Sequence, residues 1–179
     1  MKRWPISYWR ARLTVVLGVI LGAGSPAIGE DSTTGTKAAP IPVRLNQDKL
    51  AGIALPPSEP FIAPDDVLEG SHRPRGEILY GGEELVMEIY EDDAAAYAIR
   101  EPYPVDEFVL VLSGKLILTD FLGTEHEYLP GESLVVPKGF TGIWKMLGNY
   151  RELIAIERAA YERVFGPLPS DELADRGGK

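Results

Sequence analysis

The chain has 179 residues, the length of one ordinary domain, and 45% hydrophobic with 25% charged residues excludes a wholly disordered chain. With 27 acidic residues against 18 Lys and Arg, the net charge is −9, a surface that repels phosphate backbones and excludes nucleic acid as a natural partner. The absence of Cys removes disulfides, thiolate catalysis and Cys-ligated metals, and only two His remain, His72 and His126.

Residues 1–12 carry Lys2, Arg3, Arg10 and Arg12 and no acid, and an apolar run follows from Leu13 to Ala23. Small residues around Ala27 and Gly29 complete the order of a secretory signal peptide over residues 1–29, with cleavage before Glu30. The apolar run is about half the ~20 residues of a spanning helix; an uncleaved N-terminal anchor is the alternative. This reading predicts a periplasmic or secreted protein with no membrane association after cleavage. Removing residues 1–29 discards four positive and no negative charges, which takes the net charge from −9 to −13.

Residues 30–75 are expected to be a leader and an arm. The stretch 30–40 is polar and small, without apolar period, and reads as flexible. Beyond it, Pro42, Pro56, Pro57, Pro60, Pro64 and Pro74 forbid a long helix or a central strand. The apolar residues among them predict an extended arm lying on the domain.

From Gly76 to residue 160, short apolar runs recur between turn residues. The expected strands are 85–91, 95–100, 107–113, 116–120, 125–129, 133–136, 142–145 and 151–157. Turns are expected at Leu122-Gly123, Pro130-Gly131 and Ser113-Gly114. Such spacing predicts an all-β sandwich or barrel. The run from Phe108 to Leu112 is apolar on both faces and needs two covers. One is the core; the other is the arm or a second copy of the chain, so a homodimer is expected. Residues 161–179 read as a polar tail, and Glu91-Asp92-Asp93 as a solvated hairpin end.

Glu107 and Gly114, with six residues between them, form one half-motif, and Gly131, five residues, then Pro137-Lys138-Gly139 form another. Together they resemble the cupin superfamily, which implies a small jelly-roll β-barrel. The stretches from Tyr103 to Asp120 and from Pro130 to Trp144 resemble the (S)-ureidoglycine aminohydrolase-type cupin domain. The family's usual site holds one metal on three His and one Glu. Glu107 fills the Glu position, but the two first-motif His positions hold Glu101 and Tyr103, or Arg100 and Pro102 in the alternative spacing. The second-motif His position holds Gly142, and the Asn position holds Met146. A transition metal needs several convergent donors, so no metal and no cofactor is expected. A weak oxygen site of Glu101, Tyr103 and Glu107 is the residual route.

Alternation along a strand predicts the barrel interior. If Glu107 points inward, so do Val109 and Val111; reversed parity puts Phe108 and Leu110 inside. Gly142 inward brings Trp144 and Met146, with Gly142 leaving room above Trp144, although both large residues also suit an ordinary core. Tyr103 stands at the mouth, and Glu101 is a second carboxylate that would raise the pKa of Glu107 further. The candidate ligand-binding residues are therefore Glu107, Tyr103, Glu101, Val109, Gly142, Trp144 and Met146, with Glu107 and Tyr103 the catalytic candidates. An inward Glu107 has a raised pKa, unless Arg100 or Lys145 pairs with it. Three functions are open: binding of a small molecule without a His-ligated metal; an aminohydrolase-like, isomerase or lyase enzyme using Glu107 and Tyr103; and a structural module whose barrel is filled.

Overall fold

The computed structural model describes residues 41–168. The expected signal segment, the flexible leader over residues 30–40 and the end of the tail lie outside those residues. In chain order the elements are helix α1 (Gln47–Leu50), a 3-10 turn (Pro64–Asp66), β1 (Val67–Gly70), β2 (Arg75–Gly81), β3 (Leu85–Asp92), β4 (Ala95–Ile99), β5 (Glu107–Thr119), β6 (Glu125–Tyr128), β7 (Ser133–Val136), β8 (Gly142–Glu157) and helix α2 (Arg158–Phe165).

All strand pairs are antiparallel, and two long strands organise them. The first part of β8 pairs with β4, and β4 with β1; its second part pairs with β3, and β3 with β2. β5 runs along the other edge of β8, with β7 beside its first part and β6 beside its second. Two five-stranded halves therefore share β5 and β8, and their inner faces enclose one core. This is an all-β barrel, as the turn spacing predicts, in the jelly-roll form that the cupin resemblance implies.

The change of sheet is built by glycine. The expected turn at Ser113-Gly114 is absent, and β5 runs through it. Residues 107–113 and 116–120 are thus one strand, as are 142–145 and 151–157. At the crossing, three residues of β8 (148–150) face Gly114 alone, a bulge that bends both strands. Gly114 has φ 72°, and a Cβ there would stand 2.6 Å from the Leu147 carbonyl oxygen. Only glycine allows that backbone approach.

In β5, Glu107, Val109 and Val111 are buried while Phe108 is 40% exposed, which fixes the inward parity on Glu107. The outer face of β2, β3 and β8 is covered by the arm. Lys49 of α1 lies 3.4 Å from Glu77 on β2, and Gly52 sits against the Arg151 and Glu91 side chains. Ile89 and Leu153, which share that outward row, are buried. Phe108 and Val135, farther along the same sheet, stay exposed. The arm is not simply extended: Asn46 caps α1 by accepting from the Asp48 and Lys49 amides, and β1 and β2 occur at sheet edges. Edge positions suit a proline-rich segment, which lacks ladder donors.

Two further expectations change. The polar tail begins as α2, with Ala160 and Tyr161 buried against the barrel. The acid run is no solvated turn. Asp92 is 0% exposed, and Glu91 is buried in ion pairs with Arg75 (3.0 Å) and Arg151 (2.8 Å). Around Asp92, the Tyr97 and Tyr90 hydroxyls donate at 2.7 and 3.0 Å, the Arg73 amide at 3.0 Å and His72 Nδ1 at 2.8 Å. His72 Nε2 accepts the Phe61 amide at 3.1 Å, which places the imidazole proton on Nδ1. Burial pushes the Asp92 carboxyl up, but these donors outweigh it and hold the group below its usual range. The network ties the arm at Phe61 to β3 and β4.

Candidate functional site

Between the two halves of the barrel lies a cavity of about 320 Å³. That is the lower end of the range for small-molecule sites, about 300–1,000 Å³. Three buried acids reach it: Glu88 from β3, Glu107 from the start of β5 and Glu152 from β8. Tyr103, Trp144, Tyr90 and Tyr97 supply aromatic walls. Phe61 and Ile62 of the arm and Phe165 of α2 close it from outside the barrel. The exposed residues Glu101 and Pro102 also line it, so the cavity reaches solvent there. No Lys, Arg or His is among the described residues that line it.

Tyr103 is positioned by backbone. Its amide donates to the Phe140 carbonyl at 2.9 Å, and its carbonyl accepts from the Gly139 amide at 2.8 Å. The turn Pro137-Lys138-Gly139 thus docks the loop before β5, and Lys138 N bonds Asp106 Oδ1 at 2.8 Å. So placed, the Tyr103 ring stacks near Trp144, with centroids 6.1 Å apart and planes 23° off parallel. Its hydroxyl donates to Glu107 Oε2 at 2.9 Å. Tyr150 makes the same kind of bond to Glu152 Oε2. Among the described residues, these are the only hydrogen bonds to the two carboxyls, and Oε1 of each is left over.

Glu107 is 4% exposed and Glu152 is 2% exposed. Burial pushes Glu107 up to about 8, opposed by the Tyr103 bond and assisted by the charge of Glu88. Burial also drives Glu152 well above the usual carboxyl range, with Glu107 adding repulsion. Both tyrosine hydroxyls are raised well above 10 by burial and by the adjacent acids. At neutral pH Glu107 is therefore largely protonated, beside neutral phenols. Arg100 and Lys145, the possible counter-charges, are engaged elsewhere: Arg100 with Asp66 at 2.6 Å and Lys145 with Glu69 at 2.9 Å.

Of the residues named from sequence, Glu107, Tyr103, Glu101 and Trp144 line the cavity. Val109 and Met146 point inward but are fully buried in packed layers of the core and do not line it. Gly142 leaves no room above Trp144. The Thr119 carbonyl oxygen of β5 occupies the place of its missing Cβ, so the glycine serves strand packing. Glu88, Glu152, Tyr90 and Tyr97 were not anticipated. Glu152 was within reach: extending the inward parity of Trp144 and Met146 along an unbroken β8 arrives at Tyr150, Glu152 and Ile154. Phe61, Ile62 and Phe165 come from segments whose docking no periodicity signals.

The family's metal does not fit these residues. Among the described residues no group of three or more His, Cys, Asp or Glu is arranged to hold an ion. Glu101 is exposed at the rim, while Tyr103 and Glu107 bond to each other. His72 is held between Asp92 and Phe61, and His126 caps an exposed hairpin with Asp120 at 3.1 Å.

Residues 94–151 match the EutQ-like cupin domain family. The match includes Tyr103, Glu107 and Trp144 but stops short of Glu152 and begins after Glu88. With the sheet order, it supports the cupin superfamily for the barrel. No curated protein matches the chain. Among solved structures, an ethanolamine utilization protein Q from Salmonella typhimurium is 21% identical at a TM-score of 0.43, over 49% of this chain and 72% of that one. A protein of unknown function in the DUF861 family, from Pseudomonas syringae pv. tomato, is 20% identical at a TM-score of 0.49, over 57% and 43%. A cupin superfamily protein from Desulfitobacterium hafniense is 17% identical at a TM-score of 0.41, over 50% and 81%.

Proposed function

We propose that this cupin barrel binds a small organic molecule in its interior without the His-ligated metal usual in the superfamily. The observation that carries the reading is the cavity itself. It is mostly apolar and aromatic, reaches solvent beside Glu101, and gathers a few polar groups at one place: Glu107, Glu152 and Tyr103. A barrel serving only as a structural module has no need of an open cavity walled by buried acids, since each costs desolvation. A thermal-shift screen of small metabolites tests the reading. Ligands that raise the melting temperature of the native protein are expected to lose that effect in Glu107→Gln. An identical response in the variant removes Glu107 as a contact.

A second reading is favoured by the Tyr103–Glu107 pair. A carboxyl that keeps its proton near neutrality and bonds to a phenol is suited to general acid–base work. The sequence likeness to ureidoglycine aminohydrolase-type domains belongs to this reading. That chemistry calls for a metal the present donors do not fit, so no metal-dependent step is assigned. Turnover of a bound ligand, lost in both Glu107→Gln and Tyr103→Phe while binding persists in the latter, supports an enzyme; unchanged ligand after long incubation supports a binding protein.

Export through residues 1–29 is part of the proposal. Mass spectrometry of the periplasmic fraction is expected to find a chain beginning at Glu30. A chain retained in the membrane with an intact N-terminus favours the anchor instead.

A further inference from the structure

We propose that the ligand of this cavity is an organic cation, an ammonium group carried on an apolar or aromatic body. The inference deepens the small-molecule reading and rests on it. Among the described lining residues there are four carboxyl side chains, Glu88, Glu101, Glu107 and Glu152, and no Lys, Arg or His. A carboxylate or phosphate ligand finds no cationic partner among the described lining residues. The three inner acids are buried, while Glu101 marks the rim.

Two geometric features point to a guest. The only described hydrogen bonds of Glu107 and Glu152 run through Oε2 to tyrosine hydroxyls, so Oε1 of each, once the carboxyl has given up its proton, is open to an N–H donor. These side chains are more than nine-tenths buried and line the cavity, so that donor must come from within it. The Tyr103 and Trp144 rings, near-parallel with centroids 6.1 Å apart, both line the same space. An ammonium group is attracted by aromatic faces as well as by carboxylates. The remaining walls, Ile99, Ile154, Ile156 and Phe165, suit an apolar body.

The groups facing Glu107 are Tyr103 from the preceding loop, Glu88 from β3, and Glu152 with Tyr150 from β8. Among the described residues that line the cavity, none carries positive charge. A cationic guest supplies a positive charge beside Glu107 and Glu152, and the Glu107 proton leaves to solvent as the ammonium takes its place.

Calorimetric titration of the purified chain at pH 7.5 with three probes of one shape tests the inference: 2-phenylethylamine, 2-phenylethanol and phenylacetate. The amine is expected to bind at least tenfold more tightly than the alcohol, and phenylacetate more weakly than both. An alcohol or a carboxylate that binds as tightly as the amine overturns the cation assignment but leaves the small-molecule reading standing. Failure of all three to bind counts against both. Glu107→Gln and Glu152→Gln are each expected to weaken the amine tenfold or more and to leave the alcohol within twofold. An unchanged amine affinity in folded variants overturns the assignment of these carboxyls.

Discussion

Replacing Glu107 by glutamine should make the protein less sensitive to rising pH. Glutamine keeps the shape and can still accept the Tyr103 hydroxyl through its amide oxygen, but it cannot ionise. In the native chain the carboxyl moves from an ordinary value of 4.5 to about 8 on folding. The folded state then holds a proton that the unfolded state has released. A raised folded pKa gives stability that is complete below 4.5 and lost as pH rises through about 8. At 1.36 kcal/mol per unit, this one group costs about 2–3 kcal/mol between pH 5 and pH 7. For a domain of this size that is a fall in melting temperature of roughly 5–10 °C that the variant does not share. Removing the charge also relieves Glu152, which widens the gap. The assay is thermal unfolding of both proteins from pH 5 to pH 8.5. Parallel curves across that range would refute a buried, unpaired Glu107 and the electrostatics built on it.

Three further outcomes follow from the same geometry. Tyr103→Phe removes the donor to ionised Glu107, and its midpoint should rise about one unit further, read by carbon NMR of the labelled Glu carboxyls. Gly114→Ala should destabilise by about 2 kcal/mol more than Gly123→Ala. Both glycines have positive φ, but only Gly114 faces backbone where a Cβ would sit; equal losses in chemical denaturation would contradict the tight crossing of β5 and β8. His72→Ala leaves buried Asp92 short of a partner and the Phe61 amide without its acceptor. It should cost about 2–4 kcal/mol and speed hydrogen exchange at Phe61, whereas a near-neutral change would mean that the arm is held by packing alone.

Much of the barrel was legible because its cues are local. Gly123, Gly131 and Gly139 mark tight turns by residue type, and alternation from Glu107 to Val111 carries a face assignment once one residue is fixed. The kink at Gly114 was misread because a glycine that turns a chain and one that lets two strands touch look identical in sequence. That error split β5; β8 was separately read as two strands with a gap over residues 146–150, and that gap broke the parity leading from Trp144 to Glu152. Asp92 was hidden for another reason. An acid run is ordinarily solvated, and the donors that bury this one, His72, Tyr90, Tyr97 and the Arg73 amide, lie on three segments that only the fold unites. Phe61, Ile62 and Phe165 were illegible as lining residues, because nothing in a short apolar dipeptide or a helix end says which surface it will close.

The most direct test of the central claim is a crystal structure of the chain with 2-phenylethylamine. The ammonium is predicted within hydrogen-bonding distance of Glu107 Oε1 or Glu152 Oε1, with the ring beside Tyr103 and Trp144. A cavity closed by its own side chains, or an amine bound only on the outer surface, would contradict the account.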